Sequence, residues 1–187
     1  MKGTAFAAIL ALAAPLLSTS APSIAQESGD DISNKIISVP VPAKYRVDGL
    51  RSAPKVRSDA GVQWGKALRV EVPGKSPNPW SVAVAVPITK PVKAGDRLVL
   101  VIYARLEKGE DGATTTILPY NAVQMSAAPY TPLFNGPVTI GPEWKAYEIQ
   151  GKANADYAAA ALNVSIHLAT AKQVVDVGPV VLLNMGQ

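Results

Sequence analysis

The sequence predicts an all-β fold, a two-sheet antiparallel β-sandwich, and three observations carry that reading. Glycine and proline supply 14 and 16 of the 187 residues, above the average share of about one in eight, which favours turns over long helices. Hydrophobic residues make up 48% against 17% charged, too apolar for a disordered chain and enough to fill one core at this length. Short runs alternate apolar and polar side chains at period two and are bounded by Gly, Pro or Asn, as half-buried strands are.

Met1-Lys2 gives a positive start, residues 5–17 are apolar, and Ser23-Ile24-Ala25 places small residues where a signal peptidase reads. Residues 1–25 are therefore expected to be a signal peptide and Gln26 the mature N-terminus, in a secreted or periplasmic protein. No membrane anchor is expected, because the apolar run is too short to span a bilayer. Residues 26–31 are polar and read as unstructured. The whole segment 26–59 reads as extended chain with at most a first strand, since Pro40, Pro42 and Pro54 cannot donate to a ladder.

The sandwich is expected over 60–187. Residues 67–72 alternate as a strand ending at Pro73-Gly74. Over 80–88, Trp80, Val82, Val84, Val86 and Ile88 share one face, while Ser81, Ala83 and Ala85 share the other. The nearly continuous apolar run 97–106 predicts a central strand, followed by a charged hairpin loop at 107–112. Residues 114–125 predict a strand broken or bulged at Pro119, and 129–137 a loop containing Tyr130 and Phe134. Strands at 138–140, 144–149, 161–168 and 173–183 bring the count to about eight. Alanine-rich 154–162 is the one place for a helical turn.

Several of these stretches look familiar together. Lys66-Ala67-Leu68-Arg69-Val70, then Pro91-Val92-Lys93-Ala94-Gly95-Asp96 leading into Val101-Ile102-Tyr103-Ala104-Arg105, resemble the secreted carbohydrate-binding modules of the family 4/9/22 type. Trp144-Lys145-Ala146-Tyr147 and the closing run from Val175 to Asn184 resemble that family's last strands. The resemblance covers most of 60–186. It implies a galactose-binding-like jelly roll that binds polysaccharide or oligosaccharide in a cleft on one concave sheet face. It also implies a glycan-active enzyme as a partner, here a separate one. In such modules an acid on the last strand helps hold structural calcium, which the resemblance implies for Asp176; no other cofactor is expected.

Counting excludes much chemistry. Without cysteine there is no disulfide, thiol nucleophile, zinc-thiolate or iron–sulfur site, and one histidine rules out His-rich metal centres. No Gly-x-Ser-x-Gly elbow is present for a serine hydrolase. The acids Glu107, Glu110, Asp111, Glu143, Glu148 and Asp156 fall in loops or at exposed alternating positions, so a glycosidase pair has no support and no enzyme is expected. The net charge of +4 is concentrated early: Lys35, Lys44, Arg46, Arg51, Lys55 and Arg57 face only Asp48. That arm suits phosphate or acidic polysaccharide, although such a spread is more often a plain solvated surface. No nucleic-acid motif accompanies it, so no nucleic-acid partner is expected.

Sugar recognition needs flat aromatic faces for the apolar side of a pyranose ring and polar side chains for its hydroxyls. The candidates are Trp80, Tyr103, Tyr120 and Tyr130 for stacking, with Arg105, Gln124 and His167 as polar partners. Tyr103 and Arg105 share a strand face, as do Asn163, Ser165 and His167. Each has a plainer reading: core packing for Trp80, an ion pair for Arg105, a solvated face for the polar row. The expected function is a secreted, non-catalytic carbohydrate-binding protein. The alternative is a structural or interaction protein of the cell envelope that uses the same sandwich without a sugar site.

Overall fold

The computed structural model describes residues 29–59 and 61–187; the expected signal peptide and Gln26 lie outside them. Among the described residues a short helix α1 (Gly29–Lys35) precedes ten strands. These are β1 (Arg46–Asp48), β2 (Lys55–Ser58), β3 (Lys66–Val72), β4 (Ala83–Pro87) and β5 (Arg97–Lys108), then β6 (Thr116–Met125), β7 (Pro132–Ile140), β8 (Lys145–Lys152), β9 (Leu162–His167) and β10 (Gln173–Asn184). They form two five-stranded sheets with orders β1-β4-β9-β6-β7 and β2-β3-β10-β5-β8, antiparallel at every pairing. The sandwich predicted from the sequence is the observed architecture.

Alternation builds the core. In β5, Leu98, Leu100, Ile102, Ala104 and Leu106 are buried between the sheets, while Val99, Val101, Tyr103 and Arg105 face outward and are half-buried. The run that looked continuously apolar thus lies beside an edge strand, with its second apolar face only partly covered. From the other sheet come Val84, Val86, Leu118, Val164 and Ile166, all fully buried. Each such aliphatic side chain contributes roughly 1.5–3 kcal/mol when taken from water.

The N-terminal segment contributes two short strands, one to each sheet, and a clasp between the sheets. Ile37 N donates to Leu182 O (2.9 Å) on the second sheet, and Val39 N to Pro87 O (3.0 Å) on the first. The Ser38 hydroxyl donates to Val180 O (3.1 Å) and accepts from Leu182 N (2.8 Å). Other differences from the sequence reading are local. Residues Gly29–Lys35 are helical, where an unstructured start up to residue 31 and extended chain after it were expected. β7 begins at Pro132 and takes up most of the expected loop, where Phe134 packs on Gly151 so closely that an added Cβ would meet the ring at 2.2 Å. Turns and a bridge to Val92 occupy 154–161, and no helix forms there.

Candidate functional site

The outer face of the first sheet is low in the middle and high at the rim. At its centre the register places Ala83 against His167, Ala85 against Ser165, and Ser165 against Ala122, so four of these five central side chains are alanine or serine. Large side chains rise around them. Trp80 comes from the 3-10 turn Pro79–Ser81 before β4, Tyr120 from the bulge in β6, Tyr130 from the turn before β7, and His167 from the end of β9. The result is a groove of about 700 Å³, within the 300–1,000 Å³ typical of small-ligand sites.

Trp80 departs from the strand pattern. Val82, Val84, Val86 and Ile88 are buried as the alternation requires, but Trp80 is 58% exposed because the 3-10 turn rotates it off the core face. Gly49 makes room for that turn. Its φ is +83°, and a Cβ there would lie 1.6 Å from the Ser81 carbonyl oxygen, so only glycine fits. Tyr130, also exposed, sits at φ +55°, held by Tyr130 N donating to Ala127 O (2.9 Å) and Met125 N to Thr131 O (3.0 Å). A bulky residue in that region is strained, and such strain clusters where a side chain is held for use.

The aromatic wall is continuous. Tyr120 stacks on His167 with ring centroids 4.2 Å apart and planes at 18°, and His167 meets Trp80 at 6.2 Å and 59°. The Tyr120 hydroxyl donates to Gln124 Oε1 (2.9 Å), which orients the amide. Burial pushes the His167 pKa down to about 4, so the imidazole is neutral at physiological pH. Asn163 shares the groove, its amide oxygen buried and without a hydrogen-bond partner. At the rim, Arg46 pairs with Asp48 at 3.0 Å, both largely exposed. Neutral donors and acceptors beside ring faces suit hydroxyl-rich ligands.

Of the sequence-predicted candidates, Trp80, Tyr120, Gln124, Tyr130 and His167 line this one groove. Tyr103 and Arg105 do not; β5 carries them on the second sheet, facing away from it. There Arg105 belongs to an ion cluster around Asp176, which is fully buried. Arg69 grips both Asp176 oxygens (2.8 and 2.9 Å), Arg105 Nε donates to one (3.0 Å), and Glu107 accepts from both arginines (2.6 and 2.8 Å). Arg105 also lies 5.2 Å over the Trp144 ring, and Tyr103 flanks Gly178 beside it. Position parity aligned Tyr103 with Arg105 correctly, but parity cannot say to which sheet a strand belongs. Nor does Asp176 fit the calcium implied by resemblance, since guanidinium groups take both of its oxygens and Arg57 adds a third positive charge at 3.5 Å.

Sequence reasoning gave Arg46 and Asp48 no place among the site residues; the pairing of β1 with β4 brings them to the groove, and Gly49 follows them against the turn that carries Trp80. The alternation of Ala83 and Ala85 was a usable signal for a low sheet face. Two other recesses, each about 630 Å³, are lined by 49–55 with β3 and by the 108–112 turn with β10, and neither carries an aromatic ring. The aromatic groove is therefore the site to explain.

No family model and no curated protein sequence matches the chain. Solved structures do match it. The second N-terminal cellulose-binding domain of Cellulomonas fimi β-1,4-glucanase C aligns with a TM-score of 0.55 at 15% identity, covering 80% of this chain and 92% of that one. The CBM22-1 xylan-binding domain of Paenibacillus barcinonensis Xyn10C aligns at 0.51 and 11%, covering 82% and 93%. The fold is the carbohydrate-binding-module jelly roll. The two-module Clostridium thermocellum xylanase 10B fragment complexed with xylohexaose aligns at 0.55 and 11%, with 81% of this chain on 28% of that one. The resemblance seen in the sequence thus holds at the level of the module fold. Among the described residues no helix is long and apolar enough to cross a membrane.

Proposed function

We propose that this is an exported, non-catalytic carbohydrate-binding protein whose ligand lies in the groove on the outer face of the β1-β4-β9-β6-β7 sheet. The observation that carries this reading is convergence: Trp80, Tyr120 and Tyr130, distant in sequence, surround a polar strip of Gln124, Asn163, Ser165 and His167. Ring faces would take the CH-rich sides of sugar rings, and the amides, hydroxyl and neutral imidazole would meet their hydroxyls. Binding rather than hydrolysis fits the acid count. A glycosidase needs two carboxylates flanking the bond, and among the described residues Asp48 is the one acid lining the groove, already paired with Arg46. Similarity to modules named for cellulose and xylan binding supports a polysaccharide as the ligand class. Screening the chain from Gln26 onward on a glycan array tests this. Binding to glycans that Tyr130→Ala weakens and the remote Glu110→Ala leaves unchanged is expected. A folded protein that binds no glycan would favour the envelope-interaction alternative.

A further inference from the structure

The groove does not stop at the aromatic wall. Arg46, Ala85 and Asn163 also line a second recess of about 200 Å³ that continues along β4 and β9 toward Ser126 and Ala160. The two halves differ in charge. Among the described residues the aromatic half is lined by two ionised side chains, Arg46 and Asp48, which neutralise each other at 3.0 Å. In the second half Lys44 joins Arg46 and, among the described residues, no further acid lines the wall, so the groove as a whole carries one positive charge in excess. Lys44 is exposed at the end of the 3-10 turn Pro42–Lys44, just before β1. The basic arm noted in the sequence therefore delivers two of its members to the edge of the candidate site. Arg46 sits at the joint, and a guanidinium can hold an acid in the ligand while keeping Asp48, because it has five donors in a fork.

We propose that the ligand is an acidic oligosaccharide long enough to occupy both halves, with ring faces on the aromatic wall and an anionic substituent, carboxylate or sulfate ester, held by Lys44 and Arg46. This rests on the carbohydrate-binding reading of the groove and adds the ligand's charge and the orientation in which it lies. A neutral chain would leave Lys44 facing water and gain nothing from the groove's excess positive charge. The anion contributes through exposed charges, so its share is modest and screened by salt.

The test compares hexasaccharides of equal length: galacturonate hexamer as the carboxylate probe, a sulfated galactan hexamer, and cellohexaose as the neutral probe. Isothermal titration at 20 and 500 mM NaCl is run on wild type, Lys44→Gln, Lys44→Glu and Trp80→Ala. At least one anionic probe is expected to bind more tightly than cellohexaose at low salt and to lose that advantage at high salt. Lys44→Gln should weaken it about two- to fivefold, as for a single exposed charge pair, and Lys44→Glu by more. Which anionic probe responds tells carboxylate from sulfate. Trp80-dependent binding of cellohexaose at least as tight as either anionic probe, unaffected by salt, would overturn this inference alone. No binding of any probe by folded protein would overturn the carbohydrate reading with it.

Discussion

Trp80→Ala is the substitution whose size the structure sets most directly. The free protein leaves Trp80 58% exposed, and a tryptophan of roughly 150–250 Å² then offers about 90–145 Å² to a ligand. A sugar ring covers one of the two faces, so about 45–70 Å² is newly removed from water. At about 25 cal/mol per Å² that is roughly 1.1–1.8 kcal/mol, or about six- to twentyfold in affinity. The same exposure means little stability is at stake, so the melting temperature should move by only a degree or two. Affinity electrophoresis in a glycan that binds wild type, with Tyr103→Ala beside it, is the assay. Tyr103 lies on the opposite sheet, so its variant should migrate as wild type does. Equal retardation of wild type and Trp80→Ala would refute stacking at this turn. A loss with Tyr103→Ala that matches Trp80→Ala would move the site to the other face.

Three further outcomes follow from particular contacts. Gly49→Ala puts a Cβ 1.6 Å from the Ser81 carbonyl at a left-handed φ of +83°, so the turn carrying Trp80 must move; glycan affinity should fall as far as in Trp80→Ala although no ligand contact is deleted, and retained affinity would show that the turn adapts. His167 has a folded pKa lowered to about 4 by burial. The unfolded chain therefore takes up a proton near pH 6.5 that the folded one refuses, and stability should be flat above that pH. It should fall as pH drops toward 4, by at most about 1.4 kcal/mol per pH unit. Thermal melts of wild type and His167→Gln read this, the variant being expected to lose that part of the acid slope. Asp176→Asn leaves the arginines around it short of a counter-charge; their side chains keep about a fifth of their surface in water (22% for Arg69, 21% for Arg105). The cost should be about 3 kcal/mol, the low end for breaking a buried pair, or roughly 6–12 °C in melting temperature, with glycan affinity unchanged.

Period-two alternation was enough to place most strands and both of their faces. Asn163, Ser165 and His167 do point one way and Leu162, Val164 and Ile166 the other, because a sheet residue's direction depends only on its parity. Trp80 shows where parity fails. Parity puts it on the face of Val82 and Val84, whereas a single 3-10 turn swings it off that face and into the groove, where it is a stacking candidate rather than a core residue. No local propensity marks that turn apart from Pro77 and Pro79; the deciding contact is with Gly49, some thirty residues earlier.

Sheet membership was the larger gap, and it decides the site. Tyr103 and Tyr120 carry the same local signal, an aromatic ring at an outward strand position, yet one belongs beside an arginine–aspartate cluster and the other faces His167. Which sheet a strand joins is fixed by long-range pairing, and β10 chooses β3 and β5 while β9 chooses β4 and β6. Charge differs in the same way. Once those pairings are made, the part of the second sheet's outer face around Asp176 fills with opposite charges that satisfy one another. The first sheet instead keeps alanines at its centre, a neutral imidazole and an amide oxygen without a partner. An unfilled low face with unspent polar groups is what a ligand can complete, and a saturated ion cluster is what a ligand would have to break.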